Sequence, residues 1–226
     1  MRYVCEDLLE VVNCKGGASA PVIYVIDSPE HPHDFAMLAP QVRATLVRVP
    51  VQRWSDALTP WPAPGLYREE PDFGGDAAAT LAELVDEAIP TKERGSGLDP
   101  SSRAVCGYSL GGLFSLYAFV HGTIFDACGC LSGSVWYEGW VNHMRGLGLE
   151  LSGKFAYLSV GTKEKRAARP ILRTVQDNME ECARILQKAG CEVQYQTSPG
   201  NHLQFVAERT KAGLAAIDDF LLRPRA

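Results

Sequence analysis

A serine with glycine two residues away on either side, Gly107-Tyr108-Ser109-Leu110-Gly111-Gly112, joins an apolar β-rich run to a helical one. The run before it is Arg103-Ala104-Val105-Cys106 and the run after it is Leu113-Phe114-Ser115-Leu116-Tyr117-Ala118-Phe119. A strand that passes into a helix over so few residues needs a turn too tight for side chains at its flanks, which glycine permits. The turn ends the strand at the edge of a sheet, lifts the serine hydroxyl clear of that edge and sends the helix back along it. G-x-S-x-G arises by chance in roughly one chain of this length in ten, so the rest of the chain must carry the chemistry.

The surroundings agree with a parallel sheet. β-Rich runs at residues 8–12, 22–26, 45–49, 104–107, 127–131, 156–160 and 193–197 alternate with helical stretches at 76–88, 110–120, 170–189 and 203–222. Several of the strands are continuous apolar runs, as strands buried on both faces should be. The pattern predicts an α/β architecture with a mostly parallel central sheet and helices on both faces. Gly190 suits a helix C-cap, and Asp99-Pro100 suits a turn just before the serine-bearing strand. Residues 50–75 break the alternation: Trp54, Trp61, Tyr67 and Phe73 lie among Pro60, Pro62, Pro64 and Pro71. That stretch is too proline-rich for a helix and too aromatic for a linker, so its rings, Trp54 and Trp61 among them, are expected to pack at the sheet edge and wall a pocket.

At 226 residues the chain is long enough for one domain with a continuous core and no disulfides, and no linker divides it. A single domain over residues 1–226, without a separate lid domain, is expected. Twenty-seven acidic against 22 basic residues and the lack of a Lys/Arg run argue against nucleic acid as a partner. No stretch approaches the roughly 20 apolar residues of a membrane span, and the first residues lack an apolar signal core, so a cytoplasmic location without membrane attachment is expected. The seven cysteines are odd in number and sit mainly in apolar segments, including Cys128-Gly129-Cys130, which reads as reduced core thiols. His31-Pro32-His33-Asp34 has no recognisable ligand set to complete it and reads as polar residues entering a helix. Neither a metal nor a cofactor is expected, and homo-oligomerisation stays open.

A serine hydroxyl needs a base to take its proton and a carboxylate to orient that base. His202, in Ser198-Pro199-Gly200-Asn201-His202, follows the last predicted strand and precedes the last helix, where such a base belongs. His143 reads as a surface or packing residue, and His121 lies at the far end of the helix that starts at the serine. Glu164 is the only carboxylate on the loop after the 156–160 strand and is the candidate acid, with Asp177 in reserve. The developing oxyanion needs two donors. The Leu110 N–H is one candidate, and the loop after the 22–26 strand supplies the other. There Ser28 ranks above Asp27, whose carboxylate would repel the oxyanion unless it is turned away or paired.

Together these segments resemble the esterase family of the α/β-hydrolase fold that groups esterase D-like enzymes with the enterochelin (siderophore) esterases. The resemblance covers almost the whole chain. It runs through Val22-Ile23-Tyr24-Val25-Ile26-Asp27, Arg53-Trp54, Leu58-Thr59-Pro60-Trp61-Pro62-Ala63-Pro64 and Phe73-Gly74-Gly75, then a helix ending at Ile89-Pro90. It continues through the Ser109 turn, Leu131-Ser132-Gly133-Ser134-Val135-Trp136-Tyr137, Val160-Gly161 with Glu164, and Pro199-Gly200-Asn201-His202. It implies Ser109 as nucleophile, His202 as base, Glu164 as acid and the Trp136 segment as a border of the substrate pocket. A His-Gly turn that many relatives carry after the third strand is replaced here by Asp27-Ser28, which bears on the oxyanion geometry; a chain with neither a dedicated lid domain nor the siderophore branch's N-terminal extension is expected not to take a large catecholate. The expected activity is hydrolysis of a small-molecule carboxylic ester. A thioester is the nearest chemical alternative, and a non-catalytic binding protein on the same fold is the alternative from another class.

Overall fold

A computed structural model describes residues 2–4 and 9–224. Seven strands form one sheet: β1 (Glu10–Asn13), β2 (Val22–Asp27), β3 (Thr45–Pro50), β4 (Arg103–Tyr108), β5 (Ala127–Leu131), β6 (Phe155–Gly161) and β7 (Glu192–Ser198). Their spatial order is β1-β3-β2-β4-β5-β6-β7. Only β1 runs antiparallel, against β3, and every other neighbouring pair is parallel. Each predicted strand is present within a residue or two, although Leu8, the predicted start of the first, and Cys5 lie outside the described residues.

The alternation along β2 shows why the sheet needs two covers. Val22, Tyr24 and Ile26 point into one core while Ile23 and Val25 point into another, and all five are fully buried. The first core is closed by α3 (Ala77–Ala82), α4 (Ile89–Ser96), α5 (Leu110–His121) and α7 (Val175–Lys188), with Phe114, Phe119 and Trp140 among its largest side chains. The second is closed by α1 (Phe35–Leu38) and α8 (Val206–Leu221), through Leu38, Leu214, Ile217 and Leu221. Asp218 fixes α8 to the entry of β3 by accepting from the Arg43 and Ala44 N–H groups at 3.1 and 2.7 Å.

Three local expectations are corrected. The helix predicted to stop near Pro90 continues to Ser96, because the Glu83–Ala88 stretch relaxes to π-helical spacing and Ile89 N–H bonds to Leu84 O. The register slip opens the ladder where Pro90 has no N–H to give. The 170–189 helix starts as a 3₁₀ turn, Ile171–Thr174, before α7 proper. The proline-rich stretch contains a short helix, α2 (Trp54–Ala57), and an antiparallel bridge between Ala63 and Phe73. A further short helix, α6 (Trp140–Gly146), carries His143.

The strand order reverses around β2, which lies between β3 and β4. In open α/β sheets the crevice at such a switch point, beyond the carboxyl ends of the strands, is where ligands bind. Asp27-Ser28 after β2 and Ser109 after β4 flank that crevice. The order and direction of the strands, with the serine on the β4–α5 turn, are those of the α/β-hydrolase fold.

Candidate active site

Ser109 has φ 59° and ψ −122°, a conformation non-glycine residues rarely adopt, held because the turn between β4 and α5 has no slack. A Cβ on Gly107 would stand 2.5 Å from the Gly111 carbonyl carbon, and one on Gly111 would stand 3.1 Å from the Trp54 ring. Gly107 is therefore required because backbone crosses backbone there, while a methyl at Gly111 would press the Trp54 ring by a few tenths of an ångström. Ser109 O also accepts from Ser134 N–H at 3.0 Å, which ties the turn to the segment after β5.

His202 stands over this turn. Its Nε2 is 3.0 Å from Ser109 Oγ and its Nδ1 is 2.9 Å from Glu164 Oε2. The three residues follow β4, β6 and β7, strands that run the same way in the parallel part of the sheet, so their carboxyl ends deliver all three to one edge. Asp177, the reserve acid, lies in the first turn of α7 and lines a separate groove with Trp140, Arg145 and Glu181, away from His202.

The Glu164 carboxylate, 4% exposed, is satisfied on both oxygens. Oε1 accepts from Gly161 N–H and from the Ser132 hydroxyl, each at 2.7 Å, while Oε2 faces His202. Burial alone would raise its pKa. The hydrogen bond and charge of His202, then the Gly161 N–H and the Ser132 hydroxyl, outweigh burial and hold the group below the ordinary carboxylate value.

Arg209, on α8, underlies this arrangement. Its side chain is buried, with Nη1 donating to Ser132 Oγ at 2.7 Å and to Tyr108 Oη, and lying 3.6 Å from Glu164 Oε1. Nε donates to Ser198 Oγ at 2.8 Å, and Nη2 reaches the carbonyls of Pro199 and Gln204. Tyr108 in turn donates to the His202 carbonyl at 2.7 Å. Burial pushes the Tyr108 phenol above its ordinary pKa, which keeps the proton it donates. Sequence reasoning misses Arg209 and Tyr108, because a lone arginine on an amphipathic helix ordinarily reads as solvent-facing.

The side chain of Asp27 is turned away from the crevice and paired. Arg48 Nε donates to Oδ2 at 2.6 Å, and His33 supplies both its backbone N–H, at 2.9 Å, and Nδ1, at 2.7 Å, to Oδ1. This consumes His33, while Asp34 caps α1 through Met37 N–H, so His31-Pro32-His33-Asp34 serves as the helix entry. Asp27 C=O accepts from Val51 N–H on the β3 side at 3.0 Å. Since the N–H of a trans peptide points opposite its C=O, the Ser28 N–H is directed toward β4 and the Ser109 turn. The Leu110 N–H, at the start of α5, is one of the helix-terminal donors that have no intrahelical acceptor.

Two cavities meet at Ser109 and His202. One, of about 500 Å³, lies toward the Glu164 loop and is lined by Trp136, Leu66, Leu172, Val175, Lys163 and Arg166, among others. The other, of about 540 Å³, lies toward β2 and includes Ser28, His31, Met37, Trp54 and Val206. Leu203, 84% exposed, borders both. Trp136 lines the first of these cavities and Trp54 the second. Trp61 lines neither: its Nε1 donates to Glu138 O at 3.1 Å and its ring packs on Tyr137, Trp140 and His143, outside both linings. His143 is a packing residue, facing His121 with 2.9 Å between their Nε2 atoms.

Comparison with known proteins places this chain in a family. The family model described as "Putative esterase" matches residues 13–206, a span that includes Ser109, Glu164 and His202. The uncharacterized protein YbbA of Bacillus subtilis is 30% identical over 148 residues, a match covering 64% of this chain and 59% of YbbA, so it spans less than two thirds of that relative's length. Among solved structures, the siderophore hydrolase EstA from Aspergillus nidulans superposes with a TM-score of 0.73 at 20% identity, covering 93% of this chain and 86% of EstA. An IroE-like serine hydrolase from Shewanella oneidensis gives 0.74 at 17% identity, covering 93% and 74%. The chain belongs to this esterase family and has the α/β-hydrolase fold.

Proposed function

We propose that the protein hydrolyses a carboxylic ester through an acyl-enzyme on Ser109, with His202 as base and Glu164 as the orienting acid. The observation that carries the reading is the continuous path Glu164–His202–Ser109, at 2.9 and 3.0 Å, beneath two open cavities. His202 Nε2 takes the Ser109 proton as Oγ attacks the ester carbonyl. Glu164 fixes the tautomer with the proton on Nδ1 and steadies the imidazolium. The tetrahedral oxyanion is held by the N–H groups of Leu110 and Ser28, each such donor being worth roughly 10²–10³ in rate. Collapse of the intermediate breaks the C–O bond, and the Nε2 proton passes to the departing alkoxide. A water, deprotonated by the same His202, then attacks the acyl-enzyme carbonyl and releases the acid and Ser109.

A fluorophosphonate probe tests the assignment. Labelling of the wild-type protein and not of Ser109→Ala, together with turnover of p-nitrophenyl butyrate that is lost in Ser109→Ala and His202→Ala, is the expected result. Absence of both labelling and turnover in a protein with a folded circular dichroism spectrum would overturn it.

A further inference from the structure

The stretch from residue 163 to 173 reads Lys-Glu-Lys-Arg-Ala-Ala-Arg-Pro-Ile-Leu-Arg, five cations and one acid in a chain whose formal charge is −5. The single acid, Glu164, is buried and committed to His202, Ser132 and Gly161. Two of the cations are occupied elsewhere: Arg169 lies over the Tyr67 ring at 4.6 Å, and Arg173 donates to the carbonyls of Ala167 and Ala168. Lys163 and Arg166 instead line the cavity beside Ser109, and among the described residues neither side chain has an ion pair or hydrogen bond. The backbone beneath them is fixed, since Lys163 N–H donates to Gly200 O at 2.9 Å and Arg166 N–H to Lys163 O at 3.0 Å. The rest of the wall is mostly apolar, with Leu66, Trp136, Leu172 and Val175, and the one carboxylate in the lining is Glu164 itself.

A cavity with an apolar wall and two uncommitted cations selects a ligand with an apolar body ending in a negative charge. Resting on the esterase reading above, we propose that this cavity is the subsite for a carboxylate-bearing half of the ester, with Lys163 and Arg166 as its specificity-determining residues. Neither residue touches the reacting atoms. Both act by holding the charged end while the carbonyl sits between Ser109 and the oxyanion donors.

Carboxylates are compared with their uncharged carboxamide isosteres on either half of the ester. For the acyl half the substrates are the mono-p-nitrophenyl ester of glutarate and that of its monoamide. For the alcohol half they are the butyryl esters of 4-hydroxybenzoate and 4-hydroxybenzamide. In low salt one pair should show about a tenfold higher kcat/KM for the carboxylate, as two partly exposed charge contacts supply. That ratio should fall toward one in Lys163→Met/Arg166→Met and in 0.5 M salt, where the screening length is a few ångströms, on the order of 4 Å. A ratio near one in both pairs, or one that survives in the double variant, overturns the proposal while leaving ester hydrolysis by Ser109 intact. If none of the esters is turned over, the hydrolase reading has failed, and calorimetry decides the subsite. Glutarate binding more tightly than glutaramide, with the difference lost in the double variant, supports it. Equal or absent binding refutes it.

Discussion

Replacing Glu164 by glutamine removes one charge and almost no volume, and the hydrogen bonds around the carboxylate dictate which way the new amide must face. Gly161 N–H can only donate, and it donates to Oε1 at 2.7 Å. Ser132 Oγ is already an acceptor for Arg209 Nη1, so its own proton is also directed at Oε1. The amide nitrogen of a glutamine cannot occupy that position, because two donors already point into it. It must take the Oε2 position and present its N–H to His202 Nδ1. His202 then accepts at Nδ1 and carries its proton on Nε2, where it has nothing to offer the Ser109 hydroxyl. A substitution of this kind in a Ser-His-acid site costs about 10⁴ in kcat, or about 5.4 kcal/mol in the barrier. Stability should fall by a smaller amount, about 1.5–3 kcal/mol for the loss of charge-assisted hydrogen bonds, with Arg209 keeping Tyr108, Ser132 and Ser198 as partners. The assay is kcat/KM for p-nitrophenyl butyrate from pH 5 to 9, beside a urea melt of the same preparation. A folded Glu164→Gln protein retaining a tenth or more of wild-type kcat/KM would refute the tautomer reasoning. So would an Asp177→Asn variant with the larger defect.

Gly107→Ala should lower stability by about 4 kcal/mol or more, since its methyl would meet backbone and not a movable side chain; a urea midpoint near that of the wild type would contradict this. Asp27→Ala, which removes the buried carboxylate of the half-buried Arg48 guanidinium and leaves it only the exposed Glu10 at 3.3 Å, should cost about 3 kcal/mol by chemical denaturation, and it should lower kcat as the Ser28 loop loses its anchor. Trp54→Ala enlarges the cavity toward β2, so the acyl-chain preference should move to longer esters, with about a tenfold loss on the shortest. The folded-state pKa of Glu164 is depressed, so the stability it contributes is fully present above the unfolded value near 4.5 and is lost as pH falls through the folded value. The difference in unfolding free energy between wild type and Glu164→Gln should therefore be flat above pH 5 and shrink below about 4.5; a difference that grows on acidification would reverse the assigned direction.

Whatever leaves a periodic or positional trace is legible in the sequence. The parallel strands are visible as apolar runs because both faces of the sheet are covered, and Ser109, Glu164 and His202 are visible because each follows a strand in chain order. That Asp27 has to be turned away is clear from the charge it would otherwise set beside an oxyanion, but its partners Arg48 and His33 come from different elements and leave no local pattern. Trp61 shows the converse failure. Proline-rich aromatic composition places a ring near the sheet edge without saying which way it faces, and the Glu138 carbonyl and the rings of α6 hold it outside the crevice. Pro90 reads as a stop because a proline breaks an i→i−4 ladder, and the widened π-helical spacing before it is a tertiary accommodation with no sequence signal of its own. Arg209 is hidden for the plainest reason: burial of a charge is decided by partners far along the chain, 101 residues away at Tyr108 and 77 away at Ser132.

The placement of Arg209 also bears on how the molecule becomes active as it is made. The Ser109 turn, the Glu164 loop and the His202 loop all precede α8 in the chain, yet the guanidinium that holds Tyr108, Ser132 and Ser198 in register around Glu164 sits on that helix. A nascent chain in which β4 to β7 have already paired has its nucleophile turn formed while the acid side of the site is still unsupported. The support of the acid side of the site is therefore completed by the last helix of the described chain. A chain trimmed before α8 would leave Tyr108, Ser132 and Ser198 without the buried guanidinium that joins them.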